Sequence, residues 1–221
     1  MVIRQRAVLA EDKHERHQAI LDAAEKLLLR SPGKLANMAD VARSAGLAKG
    51  TVYLYFPSKE ELLLALHERN VDAFFRALLK LLQRTQPVTL ADMLGVTQQH
   101  LVNPPTFLPL ATRCFGIMAT GVPRMTAMAF KERMTARLVE AGAGLERHFP
   151  DLAAGAGVAL LRHSYALILG LWQMTSTDVD DVQSCGLQAF DYPEELDRAL
   201  TALWQGTIGA SLVADATGEP S

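Results

Sequence analysis

Apolar residues recur at helical spacing along nearly the whole chain, and no stretch of Val, Ile and Thr alternates strictly with polar residues. A typical example is the face formed by Ile20, Ala23, Ala24, Leu27 and Leu28. Such helices must bury their apolar faces against one another. The pattern therefore predicts an all-α fold. With 49% apolar and 21% charged residues, the composition is that of a folded protein and excludes disordered and collagen-like chains.

Capping residues and breakers divide this pattern into separate helices. Asp12 and Glu15 have the spacing of a capping box and predict the start of the first helix. Later helices are predicted near residues 89–102, 106–120, 124–148, 152–176 and 193–214. The most apolar window, residues 152–174, carries Arg162 and His163 at its centre, so we interpret it as a buried helix and not as a membrane span.

Charge is distributed unevenly along the sequence. Residues 1–59 contain ten Lys and Arg against six Asp and Glu, a net charge of +4. Residues 60–221 contain twelve against eighteen, a net charge of −6. This asymmetry favours a polyanionic partner for the basic part of the chain.

Several classes of function lack their signatures. The two cysteines, Cys114 and Cys185, cannot form a disulfide framework, and no Cys/His pattern predicts a metal site. The sequence contains no Walker loop and no GxGxxG, GxSxG or HExxH motif, which disfavours a helical enzyme. No apolar stretch of signal-peptide length follows the N-terminus. We therefore expect a cytoplasmic protein with no catalytic residues, cofactor, metal or membrane contact.

Two short helices joined by a tight turn are predicted between Asn37 and Phe56. Asn37 is a suitable cap for the first helix, and Gly46 is suited to the left-handed conformation that ends it. The second helix runs from Lys49 to Phe56. Two short helices joined in this way, with a supporting helix before them, are typical of a helix-turn-helix, whose second helix enters the major groove of DNA.

A long helix is predicted directly after this pair. Pro57 ends the second short helix, and Ser58 with Glu61 forms a capping box. The helical pattern then continues to about Gln83, so residues 58–83 are predicted to connect the N-terminal part to the rest of the chain.

Residues from about Gln18 to Leu66 resemble the DNA-binding domain of the tetracycline-repressor (TetR) family of bacterial transcriptional regulators. The matching stretches are AILDAAEKLL and MADVARSAGLAKGTVYLYFPSKEELL, in which VAxxAG, GTVYLYF and SKEEL occur at the family's spacing. The resemblance implies an N-terminal three-helix helix-turn-helix domain over residues 1–60. A helical effector-binding and dimerisation domain would follow over residues 61–221.

The resemblance also implies which residues contact DNA. The base-reading positions are Lys49, Gly50 and Thr51, and the phosphate-contacting positions are Tyr53, Tyr55 and Lys59. The cap Asn37 and nearby Arg43 complete the predicted interface. Alternatively, the tyrosines are core aromatics and the basic residues are solvated charges. Ala48 departs from the family, which commonly has a capping serine there, so the second helix lacks a good cap.

Two sets of residues in the remainder are assigned to dimerisation and effector binding. The helix over 152–176 has a coiled-coil-like seam, and with the last helix it resembles the pair through which family members dimerise. The predicted dimer interface contains Val158, Leu161, Tyr165, Ile168, Leu200, Leu203 and Trp204. Methionines and aromatics suit an adaptable apolar pocket, but the same composition also fits a plain core. The predicted pocket residues are Phe107, Cys114, Phe115, Met118, Met125, Met128 and Trp172.

Together these features predict a repressor that binds a palindromic operator in double-stranded DNA as a homodimer. A small, largely apolar effector would release it by a shift relayed through the helix over 58–83. The alternatives are a redox-sensing regulator that uses Cys114 or Cys185 and, from another class, a helical enzyme.

Overall fold

The computed structural model describes residues 2–30, 37–175 and 191–216, and this part of the chain contains helices and no β-strand. The predicted all-α fold is confirmed. The α-helices are α1 (Val2–Arg30), α2 (Met38–Ala45), α3 (Lys49–Tyr55), α4 (Lys59–Leu82), α5 (Leu90–Thr97), α6 (Phe107–Gly116), α7 (Arg124–His148), α8 (Ala156–Thr175) and α9 (Tyr192–Ala216). A π-helical turn follows α5 at Gln98–Val102, and a second follows α6 at Ile117–Gly121.

The chain forms two compact units that interleave along the sequence. The first unit contains residues 1–70 and 105–127, and the second contains residues 71–104 and 128–221. Helix α4 contributes its first half to one unit and its second half to the other. Residues 105–127 therefore pack with the N-terminal helices, although they lie far from them in the sequence.

In the first unit, α1, α2 and α3 pack around a common apolar core. Ile20 of α1, Val41 of α2 and Val52 of α3 are each at most 1% exposed. Helix α4 is linked to α1 by ion pairs. The guanidinium of Arg69 binds the carboxylates of Asp22 and Glu25, the latter at 2.8 Å. The ion pairs fasten α1 to the first half of α4.

Residues 105–127 pack against that same half of α4. The ring of Phe107, which is fully buried, lies 5.5 Å from the ring of His67. Burial lowers the pKa of His67 to about 4, so the imidazole is neutral at pH 7. The end of the second π-helical turn also lies against α4, since a Cβ added to Gly121 would be 3.1 Å from Glu60 Cγ.

In the second unit, α7 and α8 cross at two glycines. A Cβ added to Gly142 would lie 2.7 Å from the backbone nitrogen of Val158, and one added to Gly157 would meet the backbone of Gly142. Glu146 of α7 accepts hydrogen bonds from the N–H groups of Gly155 and Gly157 at 2.9 and 3.0 Å. The glycines thus allow a close crossing, and Glu146 caps the start of α8.

Helices α8 and α9 pack closely in the second unit and share buried hydrogen bonds. Trp204 Nε1 donates to Ser164 Oγ at 3.0 Å, and the hydroxyl of Tyr192 donates to the Ile168 carbonyl at 3.0 Å. Phe149 lies edge-on to Trp204, with ring centroids 5.9 Å apart. Each indole or phenol therefore buries its apolar body while its polar atom keeps a partner.

Two helix boundaries differ from the sequence-based expectation. Helix α1 begins at Val2, so Asp12 lies inside the helix and the predicted start there is wrong. Helix α8 begins at Ala156, four residues after the predicted start at 152. Most of the acidic stretch over 178–192 lies outside the described residues. Among the described helices, none has both the length and the apolar character required to cross a membrane.

Candidate nucleic-acid interface

Both ends of α2 have the capping geometry predicted from the sequence. The N–H groups of Ala39 and Asp40 donate to Asn37 Oδ1 at 3.0 and 2.9 Å. At the other end of α2, Gly46 adopts a left-handed conformation with φ 67°, and its N–H donates to carbonyls of the last turn. A side chain at residue 46 would be strained there, so asparagine and glycine together fix where α2 begins and ends.

Helix α3 presents one face to the core and the opposite face to solvent. Val52 and Phe56 are buried, at 0% and 3% exposed, and they hold the helix against α1 and α2. Lys49, Gly50 and Tyr53 are exposed, whereas Thr51 and Tyr55 are half-buried at the edges. The residues predicted to read DNA therefore fall on the outer face and edges of α3, as an interface requires.

Within α3, the ammonium group of Lys49 lies 5.7 Å from the centroid of the Tyr53 ring. This cation–π contact joins two residues one turn apart and orients both outward. Ala48 makes no side-chain cap, although its carbonyl accepts from the Thr51 N–H at 2.9 Å. The N-cap of α3 therefore contributes backbone hydrogen bonds and no side-chain one.

The start of α4 provides a further basic position beside α3. Ser58 Oγ accepts from the Glu61 N–H at 3.1 Å, and its hydroxyl donates to Glu61 Oε2 at 3.4 Å. The predicted cap is confirmed, and Lys59 stands in the first turn, where the helix N-terminus itself attracts phosphate. On α2, Arg43 is exposed and donates to Asp40 at 3.0 Å.

One exposed residue of α3 was missed in the sequence. Leu54 is 85% exposed, although its side chain is apolar. Helical spacing from the buried residue Val52 could have identified it, because positions 52 and 54 point in nearly opposite directions. Composition alone does not single out this position, because leucine is normally assigned to a core.

The residues predicted to line an effector pocket have unlike environments. In the first unit, Phe107 and Cys114 are at most 1% exposed, whereas Phe115 and Met125 are exposed at 57% and 74%, and Met118 is half-buried. In the second unit, Met128 is exposed and Trp172 packs edge-on against Tyr192, 5.4 Å between ring centroids.

A cavity of about 260 Å³ in the second unit has different walls. It lies between α5 and α9 and begins beside the first π-helical turn. Its lining residues are Leu94, Gly95, Thr97, Gln98, Pro193, Leu196, Asp197 and Leu200. Only Leu200 belongs to any predicted site, and it was assigned to the dimer interface.

The residues predicted to form a dimer interface pack largely within one chain. Leu161, Ile168, Leu200 and Trp204 are at most 7% exposed and fill the space between α8 and α9 and their neighbours. Val158, Tyr165 and Leu203 are half-buried. The exposed residues of the two helices include small ones, namely Ala166 and Gly170 of α8 and Ala202 and Gly206 of α9, beside charged and polar ones such as Arg162, His163 and Gln205.

Burial shifts the pKa values of a cysteine and a histidine in the first unit toward their neutral forms. Burial raises the pKa of the Cys114 thiol to about 12, so it is protonated at neutral pH. Burial, then the charges of His14, Arg69 and Lys13, lower the pKa of His17, whose ring lies 4.7 Å from that of Phe56. Within residues 2–30, 37–175 and 191–216, no three or more His, Cys, Asp and Glu come together as metal ligands.

Two family models match the chain in succession. Residues 20–66 match the bacterial regulatory proteins of the tetR family, and residues 68–211 match a tetracyclin repressor-like C-terminal domain. The fold is similar to a crystal structure described as a putative TetR/AcrR family transcriptional regulator. The alignment covers 86% of this chain and 99% of the other chain, with a TM-score of 0.51 and 20% sequence identity. That likeness supports the fold.

Curated relatives match over shorter stretches. The chain is 45% identical over 58 residues to the HTH-type transcriptional regulator EthR of Mycobacterium tuberculosis. These 58 residues are 26% of this chain and 27% of that protein. It is 31% identical over 64 residues to the fatty acid metabolism regulator protein of Bacillus subtilis, or 29% of this chain and 33% of that one. The alignments thus span about a third of these relatives or less.

The geometry and the comparisons agree. The helix-turn-helix is capped at both ends of α2 and exposes Lys49 and Tyr53 on α3, and the family models cover both this domain and the helices that follow it. The matched relatives are regulators and not enzymes. The chain therefore belongs to the TetR family of transcriptional regulators and carries that family's DNA-binding helix-turn-helix domain.

Proposed function

We propose that the protein is a repressor that binds a palindromic operator as a homodimer and is released by a small, largely apolar effector. The observation that carries the proposal is the outer face of α3, which combines exposed Lys49, Gly50 and Tyr53 on a helix fixed from behind by Val52. A helix held in this way can enter a major groove about 12 Å wide.

Phosphate binding would come from basic and hydroxyl groups around α3. Lys59 lies in the first turn of α4, and Tyr55 is half-exposed at the edge of α3. Arg43 is already paired with Asp40, so it would bring less net positive charge to DNA than Lys49 or Lys59. These contacts would position the protein, and the bases would be read by the outer face of α3.

Dimerisation would place two copies of α3 on one face of the duplex. We propose that α8 and α9 meet the partner's copies through their outer faces, because the residues between the two helices are already buried in one chain. Alanine and glycine on these faces would let a second pair of helices approach closely. Half-buried Val158, Tyr165 and Leu203 would lie at the margin of this contact.

This interface can be tested by one substitution and a matched control. Gly206 and Gly95 are both exposed helical glycines, and a Cβ at either would meet no atom within 4 Å. Gly206→Glu should shift the mass measured by light scattering from dimer to monomer, whereas Gly95→Glu should leave it unchanged. A dimer that persists in Gly206→Glu would refute the proposed face.

The effector would act through the packing of residues 105–127 on α4. In the first unit, Thr126 Oγ1 donates to Glu61 Oε1 at 3.4 Å, and Gly121 approaches Glu60. Both contacts lie in the first turn of α4, next to Lys59. A ligand that displaces the second π-helical turn would therefore change the position of α4 and, with it, the spacing of the two reading helices.

The redox alternative has less support. A thiol whose pKa is about 12 is a poor nucleophile at neutral pH, and Cys114 is 1% exposed. Cys185 lies outside the described residues. We expect the affinity for DNA to be the same with and without a reducing agent. A large change would favour a sensor cysteine.

The proposed function as a whole is tested by selecting bound duplexes from a random pool and titrating the binding with salt. The selected sites should share a palindrome, and affinity should fall steeply as salt rises. Replacing Lys59 by Gln should lower the slope by about one for each protomer, and replacing exposed Lys131 of α7 should not. Binding that shows no sequence preference would contradict the proposal. The proposed function implies that the protein works in the cytoplasm.

A further inference from the structure

The outermost side chain of α3 is apolar. Successive residues advance by about 100° around a helix, so Leu54 lies about 200° from buried Val52 and Gly50 lies about 160° from it. These two residues therefore occupy the part of α3 that points most directly away from the core. Leu54 is 85% exposed, and Gly50 is exposed and has no side chain.

Gly50 and Leu54 are one helical turn apart on this outer face. A Cβ added to Gly50 would meet no atom within 4 Å, so the space in front of the glycine is open. The flank is polar, because Lys49 lies over the Tyr53 ring at 5.7 Å. The result is a small apolar notch, formed by the glycine backbone and the leucine side chain and bordered by a cation.

We propose that this notch, Gly50 with Leu54, binds the C5-methyl group of a thymine in each operator half-site, which makes Leu54 a specificity-determining residue. The proposal rests on the proposed function, since it requires α3 in the major groove. In that groove thymine is distinguished by its methyl group, which apolar side chains contact. The neighbouring Lys49 would bind the phosphates or a guanine edge, which are negative hydrogen-bond acceptors, unlike the apolar methyl group.

The size of the effect follows from the chemistry of one methyl group. Burying one such group changes affinity by about fourfold. Removing the contacted methyl from both half-sites of a palindrome should therefore weaken binding by about 15-fold. Deoxyuridine in place of thymidine deletes the methyl group and leaves the hydrogen-bonding groups of the base unchanged.

The experiment is a double-mutant cycle between protein and DNA. Duplexes selected by the protein are remade with deoxyuridine at one pair of symmetric thymines at a time, and the affinities of the wild-type protein and of Leu54→Ala are measured by fluorescence anisotropy. Leu54 is exposed and alanine favours helices, so the variant should keep its circular dichroism spectrum. Leu29→Ala, which changes a half-exposed leucine on α1, serves as the matched control.

We expect one symmetric pair of thymines at which deoxyuridine weakens wild-type and Leu29→Ala binding by about 15-fold but leaves Leu54→Ala binding unchanged. Filling the notch with Gly50→Ala should reduce the same discrimination. If deoxyuridine costs nothing at any thymine, or costs Leu54→Ala as much as the wild type, the inference is overturned although the duplex is still bound. A protein that selects no duplex overturns the proposed function as well.

Discussion

Replacing Gly157 by alanine should destabilise the second unit through the crossing of α7 and α8. The added Cβ would lie 2.9 Å from the carbonyl carbon of Gly142 and 3.0 Å from its Cα. Both are backbone atoms, which cannot rotate aside as a flexible side chain would. The helices must therefore separate, and the hydrogen bonds of Glu146 to the start of α8 must lengthen.

The magnitude is a balance of two terms. Overpacking a well-packed site costs about 1–3 kcal/mol, and the steric partner here is rigid, so we take the upper part of that range. Alanine returns about 0.5–1 kcal/mol because it loses less backbone entropy than glycine in a helix. The net loss is about 2 kcal/mol, which corresponds to a fall in Tm of about 4–8 °C for a chain of this length.

The assay is thermal unfolding followed by circular dichroism at 222 nm, at one fixed protein concentration. Gly95→Ala is the matched control, because its Cβ would touch nothing within 4 Å and Gly95 is exposed in α5. It should raise the Tm slightly. The reasoning is refuted if Gly157→Ala melts at the wild-type temperature or above it, because the crossing would then have room for a side chain.

Three further predictions concern the first unit. The pKa of His67, about 4 when folded against an ordinary 6.5, means that the unfolded chain binds more protons between these pH values. The free energy of unfolding should therefore fall by about 2 kcal/mol from pH 7 to pH 5 and level off below pH 4, as urea titrations will measure. Asn37→Ala should cost about 1 kcal/mol, since two N–H groups lose their acceptor. Ala48→Ser should stabilise α3 by up to about 1 kcal/mol, since the position lacks a side-chain cap.

Each of these has an outcome that contradicts it. If His67→Leu shows the same dependence of stability on pH as the wild type, the titration belongs to other groups. An Asn37→Ala protein that melts at the wild-type temperature would mean that water replaces the cap at no cost. For Ala48→Ser, a lower Tm would show that the backbone before α3 cannot accept a hydroxyl.

Local chemistry explains why the helix-turn-helix could be predicted from the sequence. Asn37, Gly46 and Ser58 act on backbone groups within three or four residues of themselves, so their roles need no knowledge of the rest of the fold. The predicted start of α1 was wrong because it too relied on a local motif, and a local motif cannot show how far a helix extends before it. Asp12 has the spacing of a cap, but the helix continues through it, and a capping motif does not by itself end the helix that precedes it.

Long-range packing was harder to predict from the sequence. The seam of α8 identifies only some of its buried residues. Leu161 and Ile168 are buried, whereas Val158 and Tyr165 are half-buried and Leu160, outside the seam, is buried. Periodicity cannot tell whether the partner is the same chain or a second copy. Here Trp204 donates to Ser164 within one chain, a pairing 40 residues apart that no local pattern encodes. The grouping of residues 105–127 with the N-terminal helices has the same origin.

The proposed mode of binding is one dimer whose two copies of α3 read two half-sites together. It is tested by inserting five base pairs between the half-sites of the selected operator and measuring affinity at fixed salt. Five base pairs turn one half-site to the opposite side of the duplex, since a helical turn takes about 10–10.5. Affinity should fall to that of a single half-site, and an insertion of ten base pairs should also weaken binding, because it keeps the face of the duplex but moves the half-sites beyond the fixed separation of the two helices. Equal affinity for all three duplexes would contradict it.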